Sequence, residues 1–548
     1  MIDRGALSAK LMIRRATLSE LTIATPQRRS RPWVLIGLSL GIVALILLPI
    51  GYLIVRALEA GPDAWAALLR PRTVRVVMNS VGLAVATALL SVIIAAPLAW
   101  LTVCVDIPGR RFWAIATALP LAVPSYINGF AIIVVLGPVG LLQQVLAPLG
   151  VERLPSIYGF AGAVLALTLS SYPYVLLNTR AALQRCDPAV EDAARSMGDS
   201  PWRVFWRILL PQVRPAIAIG ALLAALYSLS DFGAVSLLQF ETFTRSIYVQ
   251  YRGSFDRSGA ALLSLVLIGL TLSLIGIEQV IRGRPSMSRT TCAVARPRRL
   301  ANIGPWRWLA ALYAALLTLL GIGMPLIALS YWLIRGLLNG QTLDVLWRPM
   351  ANSLLAAGGA ATLTVIAAIP IALLAARFPS RLSRLLDAAA YTGYALPGIV
   401  VALALVFFGA NYAPWLYQTL PMLLFGLAVR FLPQAIGGLR TTLQQMNPRV
   451  EDAARSLGRS PLAVFAGVTL PLMAPGILSA AALVFLTSIK ELPTTLLLSP
   501  TGFPTLATMI WSATSEAMFT QAAAPALVLL AVSAVAMAIM LSHEQTSS

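Results

Sequence analysis

The sequence predicts an all-α polytopic membrane protein: about twelve transmembrane helices in two parallel-repeat halves of six, with one short cytoplasmic helix in each half. Three observations predict it. Of 548 residues, 58% are hydrophobic and only 11% charged, where soluble domains carry about 25% charged residues. Apolar runs of the length needed to cross a hydrocarbon core of about 30 Å recur down the chain. A stretch of the first half returns 260 residues later, almost residue for residue.

The spans read as 33–55, 76–101, 112–136, 157–179, 215–238 and 260–281 in a first half, 33–281. In the second half, 308–541, they read as 308–334, 353–376, 388–409, 419–440, 473–498 and 522–541. Gly and Pro within them are no objection, because membrane helices tolerate both. Residues 1–32 form a basic tail carrying seven Arg or Lys, too long and polar for a simple signal peptide. The first span lacks a small-residue cleavage site and reads as an anchor. Residues 282–307, RGRPSMSRTTCAVARPRRLANIGPWR, form a basic linker; a lipid-headgroup contact is the alternative reading of that segment. Residues 542–548 form a C-terminal tail. With both termini in the cytoplasm, 29 of the 41 Lys and Arg lie on the cytoplasmic side and 10 outside, with Arg430 and Lys490 inside spans. That asymmetry is the one the positive-inside rule expects.

The net charge of +20 therefore serves topology, and no segment resembles a soluble nucleic-acid module. Cys104, Cys186 and Cys292 are widely spaced and odd in number, which argues against a disulfide framework and a zinc site. No metal site is assigned. His543 is the one histidine, so histidine catalysis is not expected. Asp231-Phe232-Gly233 spells a kinase motif, but inside an apolar stretch with no kinase lysine or catalytic loop nearby. Pro120 and Pro124 with Tyr126 and Asn128 in the third span, and Pro397 in the ninth, mark local helix breaks; such breaks line cavities or are simple kinks.

The repeat is sharpest at 190–217, VEDAARSMGDSPWRVFWRILLPQVRPAI, against 450–477, VEDAARSLGRSPLAVFAGVTLPLMAPGI. Pro173 aligns with Pro433, Ser228 with Ser488, Asp231 with Glu491 and Asp256 with Glu516, while Asn79–Ser80 and Asn352–Ser353 open the second span of each half at a slightly different offset. An even number of spans per half makes the repeat parallel, with its pseudo-twofold axis along the membrane normal. Within the loops 180–214 and 440–472, Asp187-Pro188 and Asn447-Pro448 supply a cap and a first-position proline. Glu191–Asp192 and Glu451–Asp452 put negative charge in the first turn. Gly198 and Gly458 suit the stop, and Ser200–Pro201 and Ser460–Pro461 start a second helix. Each loop should thus be a helix of about ten residues, roughly 15 Å long, a tight turn and a second helix, with Pro211 and Pro471 marking the approach to the next span. The Ala193–Ala194 and Ala453–Ala454 pairs give the short helix a small face that a partner groove can approach. A generic surface helix is the bland reading, but two nearly identical copies in matching loops point to docking.

These loops resemble the EAA coupling loop of bacterial ABC importer permeases: Glu-Ala-Ala, three residues, Gly, nine residues, then Ile-x-Leu-Pro. The first copy reads Asp192-Ala193-Ala194, Gly198, Ile208, Leu210, Pro211; the second reads Asp452-Ala453-Ala454, Gly458, Val468, Leu470, Pro471. Asp replaces the usual Glu in both, with Glu191 and Glu451 one residue earlier, so either carboxylate of each pair is open as the partner contact. The resemblance covers essentially the whole chain. Its fused two-copy form, with LSDFGAVSLLQFETFTRSIYVQY at 229–251 and KELPTTLLLSPTGFPTLATMIW at 490–511, resembles the iron(III) group. Thiamine permeases are the main rival. The resemblance implies two cytoplasmic ABC ATPase subunits, each receiving one coupling helix, a periplasmic or extracellular substrate-binding protein, and a place in the bacterial inner membrane. The chain shows no GxxxxGK[ST] loop, so ATP and magnesium belong to the partner ATPase and this chain is expected to bind no cofactor and catalyse no reaction. A secondary transporter should show functional charges in several spans and no paired docking helices. An intramembrane enzyme should show a paired Asp or Ser/His constellation, which this sequence lacks.

Asp231 falls about 16 residues into the fifth span and Lys490–Glu491 about as far into the eleventh, roughly 24 Å from the cytoplasmic side at 1.5 Å per residue. Charges inside a membrane face protein or water. Matched carboxylates at Asp231 and Glu491 would flank a central path, as a transient stop for a cation or an outer gate. Snorkelling, or pairing of Glu491 with Lys490 or Arg430, is the structural alternative.

Overall fold

The computed structural model describes residues 32–254, 257–282, 300–341 and 346–546. The basic tail up to residue 31, most of the linker with Cys292, Asp256 and the last two residues lie outside the described residues. The described chain is helical, apart from one parallel bridge between Val105 and Ala301 that ties the end of the linker to the first half. Eleven described helices are long and apolar enough to cross a membrane, and the bent pair Arg381–Tyr394 with Gly398–Tyr412 makes twelve.

The first half comprises α1 Trp33–Leu58, α2 Pro71–Cys104, α3 Ser125–Leu136, α4 Phe160–Arg185, the short α5 Pro188–Ser196, α6 Trp202–Ser230, the short α7 Gly233–Leu237 and α8 Phe243–Val249, and α9 Arg257–Arg282. The second repeats it as α10 Trp306–Leu338, α11 Trp347–Arg377, α12 Gly398–Tyr412, α13 Leu420–Gln445, the short α14 Pro448–Ser456, α15 Pro461–Ile489, α16 Pro493–Leu498, α17 Leu506–Ser515 and α18 Phe519–Thr546.

Two expectations change. The spans read as 112–136 and 388–409 are each broken: helix Arg110–Ala116 and turn Leu119–Ala122 precede α3, and helix Arg381–Tyr391 and turn Thr392–Ala395 precede α12. The break falls where Pro124 and Pro397 force the preceding Val123 and Leu396 into extended backbone. The fifth and eleventh spans are also displaced. They start at Trp202 and Pro461, because the second loop helix runs through a π turn (Phe205–Leu209, Phe465–Thr469) straight into the span. The widened turn accommodates Pro211 and Pro471, which cannot donate to the ordinary helical ladder. They end at Ser230 and Ile489 instead of 238 and 498, so Asp231, Lys490 and Glu491 stand just past the helix ends, not within the spans.

The halves interlock. The first span of the first half, α1, packs on α9 and also on α11 and α12 of the second half, while α10 packs on α3 and α18. Val43, Ile46 and Leu53 of α1 accordingly share one apolar cluster with Ala356, Val401 and Leu403. Small residues on α11 (Ala356, Ala357, Ala360, Ala361, Ala368) let its neighbours approach closely. The outer faces remain apolar and open: Leu89 is 59% exposed, Ile93 64% and Ile366 62%. Such a surface belongs against lipid, where backbone polar groups must be satisfied inside the helices themselves.

After α6 and α15 the chain folds back through two short helices, and the repeated Asn-Ser pairs hold this return. Asn79 Nδ2 donates to the Glu241 carbonyl at 3.0 Å, and Ser80 Oγ accepts from Phe243 N at 3.0 Å. Asn352 Nδ2 donates to the Pro504 carbonyl at 2.9 Å, and Ser353 Oγ accepts from Leu506 N at 2.8 Å. The return thereby places α7 and α16 against the broken third span of each half.

Candidate functional site

The first site is the pair of short loop helices. Asp187 Oδ1 accepts from Ala189 N at 2.9 Å and Asn447 Oδ1 from Arg449 N at 3.0 Å, each with proline at the first helical position. Both helices stop as the sequence indicates. Gly198 (φ 92°) and Gly458 (φ 79°) take the left-handed conformation. Gly198 N donates to Arg195 O and Asp199 N to Ala194 O, and the second copy repeats both bonds with Gly458 and Arg459. These are the paired bonds of a Schellman stop, which satisfies the last carbonyls. Ser200 and Ser460 then cap the following helix through Arg203 N and Ala463 N, each at 3.3 Å.

The structure separates the two acidic residues of each loop. Glu191 and Glu451 are buried, at 2% and 3% exposure. Glu191 meets Arg195 of its own helix at 3.7 Å. Glu451 accepts from Arg377 Nε at 3.0 Å, and the same arginine donates Nη1 to the Leu443 carbonyl at 3.0 Å, pinning α14 to the ends of α11 and α13. Asp192, Ala193 and Gly198, and Asp452, Ala453 and Gly458, are exposed. Ala194 is buried and Ala454 half-buried, so one alanine of each pair faces out and the other packs inward. Pro211 and Pro471 are exposed on the first turns beyond the π turn.

The second site is a cavity of about 170 Å³ between the halves. Asp231, Lys490 and Glu491 all line it, although Asp231 lies more than 250 residues from the other two in sequence. Asp231 accepts from the Ser125 hydroxyl and from the N–H of Ala234 at 3.0 Å and Val235 at 3.3 Å. It thus caps α7. Glu491 caps α16 in the same way, accepting from Thr494 N at 3.4 Å and from the Thr494 hydroxyl at 2.9 Å. Its ion-pair partner is Arg430, one of the two pairings open from the sequence. Lys490 crosses between the halves, donating Nζ to the Leu121 carbonyl at 2.7 Å.

Sequence reading left several of the cavity's residues unassigned. Ser125, Tyr174, Tyr227, Tyr394 and Arg430 line it together with Tyr126, from the broken third spans, the middle of the fourth spans and the end of α6. The prolines at 124 and 397 signalled the breaks, and one consequence is visible at Gly398. A Cβ there would strike the Arg430 guanidinium and the Glu491 carboxylate, so the pair exists because the position after Pro397 is glycine. Among the described residues no group of three or more His, Cys, Asp or Glu could hold a metal ion.

With this geometry in hand, comparison with known proteins is specific. Residues 107–286 and 368–546 each match the family described as "Binding-protein-dependent transport system inner membrane component". The chain is 34% identical over 501 residues to the Fe(3+)-transport system permease protein FbpB 2 of Haemophilus influenzae, covering 91% of this chain and 94% of that protein. It is 28% identical over 253 residues to a probable sulfate transport system permease protein of Chlorokybus atmophyticus, covering 45% of this chain and 87% of that one. It is 34% identical over 186 residues to the molybdenum transport system permease protein of Escherichia coli K12, covering 32% of this chain and 78% of that one.

Proposed function

The chain belongs to the family of binding-protein-dependent transport system inner membrane components, as a fused, duplicated ABC permease, and we propose that its cargo is iron(III). The observation that carries the choice is coverage. The ferric permease aligns with both halves and the whole fused architecture, whereas the sulfate and molybdenum permeases each align with less than half of the chain. Another small solute of the same family, thiamine included, is the alternative.

In this reading the chain hydrolyses no ATP itself. Two cytoplasmic ATPase subunits, which hold ATP and magnesium, each receive one of α5 and α14. Asp192 with Ala193, and Asp452 with Ala453, form the contact, since these side chains are exposed while Glu191 and Glu451 are buried, Glu191 beside Arg195 of its own helix and Glu451 on Arg377 of α11. Closure of the ATPase dimer moves both helices, and the direct helical run from loop to α6 and α15 carries that movement to the carboxylates at their far ends. A binding protein outside delivers the cargo to the cavity. Both termini face the cytoplasm, as the arginine distribution supports.

The test is uptake of radioactive ferric ion, delivered by its binding protein, into proteoliposomes holding the complete importer. ATP-dependent accumulation is expected. Uptake of thiamine, sulfate or molybdate in its place would overturn the iron reading while leaving the permease assignment intact. Reporter fusions near Ala147 and at the C-terminal tail check orientation, and an external C-terminus would refute it.

A further inference from the structure

We propose that the cavity is a one-sided transit site for a hard cation, with Asp231 and the Tyr126 hydroxyl of the first half as its oxygen ligands and the resident positive charges supplied by the second half. The proposal rests on the iron(III) reading.

The two carboxylates look alike in sequence and differ in what meets them. Glu491 is paired with the Arg430 guanidinium and takes the Thr494 hydroxyl as well. A cation approaching it meets a positive charge already in place. Asp231 is met by neutral donors alone among its described contacts: the Ser125 hydroxyl and two backbone N–H groups of α7. Its negative charge is uncompensated by any ion pair among the described residues. Of the two cations that line the cavity, Arg430 is engaged with Glu491 and Lys490 with the Leu121 carbonyl.

Tyr126 is the independent observation. It lines the same cavity, is only 3% exposed, and its hydroxyl has no hydrogen-bond partner among the described residues. A buried hydroxyl left unpaired is costly and rare. The backbone makes room for the side chain: a Cβ at Gly233 would come within 2.7 Å of the Tyr126 Cβ, so glycine two residues after Asp231 lets Tyr126 pack against the start of α7. Hard cations take oxygen donors. A carboxylate without an ionic partner and a hydroxyl without a hydrogen-bond partner among the described residues, both lining one cavity, supply two. Arg430 and Lys490 in the same cavity keep the residence short, and conduction needs a site favourable enough to enter and weak enough to leave.

The test is the initial rate of ferric uptake by the complete importer in proteoliposomes, measured against the concentration of iron-loaded binding protein. Asp231→Asn is expected to lower the maximal rate about a hundredfold and Tyr126→Phe about tenfold, with half-saturation unmoved because docking of the binding protein is untouched. Tyr126→Phe deletes only an unpartnered hydroxyl, so a purely structural role predicts full activity for it; it decides the matter should Asp231→Asn fail to insert. The double variant Arg430→Gln with Glu491→Gln is expected to lose only about threefold. Full uptake in Tyr126→Phe, or a double variant as impaired as Asp231→Asn, overturns the site and leaves the iron reading standing. Failure of the unmodified importer to take up ferric ion overturns the iron reading itself.

Discussion

The two halves share one scaffold and differ in where they keep charge. Their loops match cap for cap and stop for stop. Their Asn-Ser pairs make the same clamp on the returning chain. Yet at four matched interior or joint positions the second half carries a charged residue where the first does not, and at a fifth a glycine makes room for one of them. Cys104 stands against Arg377, Ala114 against Asp387, Ser170 against Arg430, Ser230 against Lys490, and Ser125 against the glycine that makes room for Arg430. The joint between the third and fourth spans shows the effect clearly. Arg180 donates to the backbone carbonyl of Ala114, whereas its counterpart Arg440 pairs with the Asp387 side chain at 2.7 Å. At this joint and around the cavity carboxylate, the first half makes its polar contacts through backbone and hydroxyls, and the second through ion pairs. The loops have kept one geometry in both copies while the interiors differ.

The largest expected break in that comparison is at Arg377. Its replacement by Met leaves Glu451 buried without its charge partner, which should cost about 3–5 kcal/mol, while Cys104→Ala in the matched position should cost about 1 kcal/mol or less. Denaturant unfolding of the purified permease measures both, and equal losses would show that the halves are anchored alike. Removing the pair together, as Arg377→Met with Glu451→Gln, should recover most of the stability.

Next are the helix stops. Valine at Gly198 or Gly458 forces a β-branched residue into left-handed backbone, at about 1–2 kcal/mol each. Because both stops have the same geometry, both variants should insert normally and lose ATPase association to the same degree in a pull-down from membranes. Normal uptake in the double variant would refute docking through these helices. A smaller effect, about 1 kcal/mol of local helix stability, is expected for Asp187→Ala and Asn447→Ala, seen as faster amide exchange confined to α5 or α14. Smallest in stability are Asp192→Asn and Asp452→Asn, exposed positions worth within about 0.5 kcal/mol; these should nonetheless weaken ATPase binding. Loss of binding from Glu191→Gln but not from Asp192→Asn would reverse the assignment of the two carboxylates.

Much of the fold was legible because its signals are local. Apolar run length gives spans, and the Asp-Pro, Asn-Pro and Gly signals give the short helices to within a residue or two. The boundaries of the fifth and eleventh spans were not legible. An apolar stretch such as Ala234–Leu238 satisfies hydropathy whether it prolongs the span or folds back as α7, and Asp231 ends the helix by capping the next one. The cavity was half legible: Asp231, Lys490 and Glu491 stood out as charges in apolar surroundings and Tyr126 sits at the break that Pro124 marks, while Ser125, Tyr174 and Tyr227 carry no charge and follow no period that would mark them.

The sequence by itself determined the membrane class, the duplication, and the two capped and stopped loop helices, since each depends on a residue and its near neighbours in the chain. Only the tertiary structure decided that the first span of each half packs against the other half, that Glu191 and Glu451 turn inward while Asp192 and Asp452 turn out, and that Arg430 belongs to Glu491. The reason is distance along the chain: Lys490 meets the carbonyl of Leu121 and Glu451 meets Arg377 across separations that leave no local pattern, because such contacts arise from packing of helices whose sequences specify only which face is apolar.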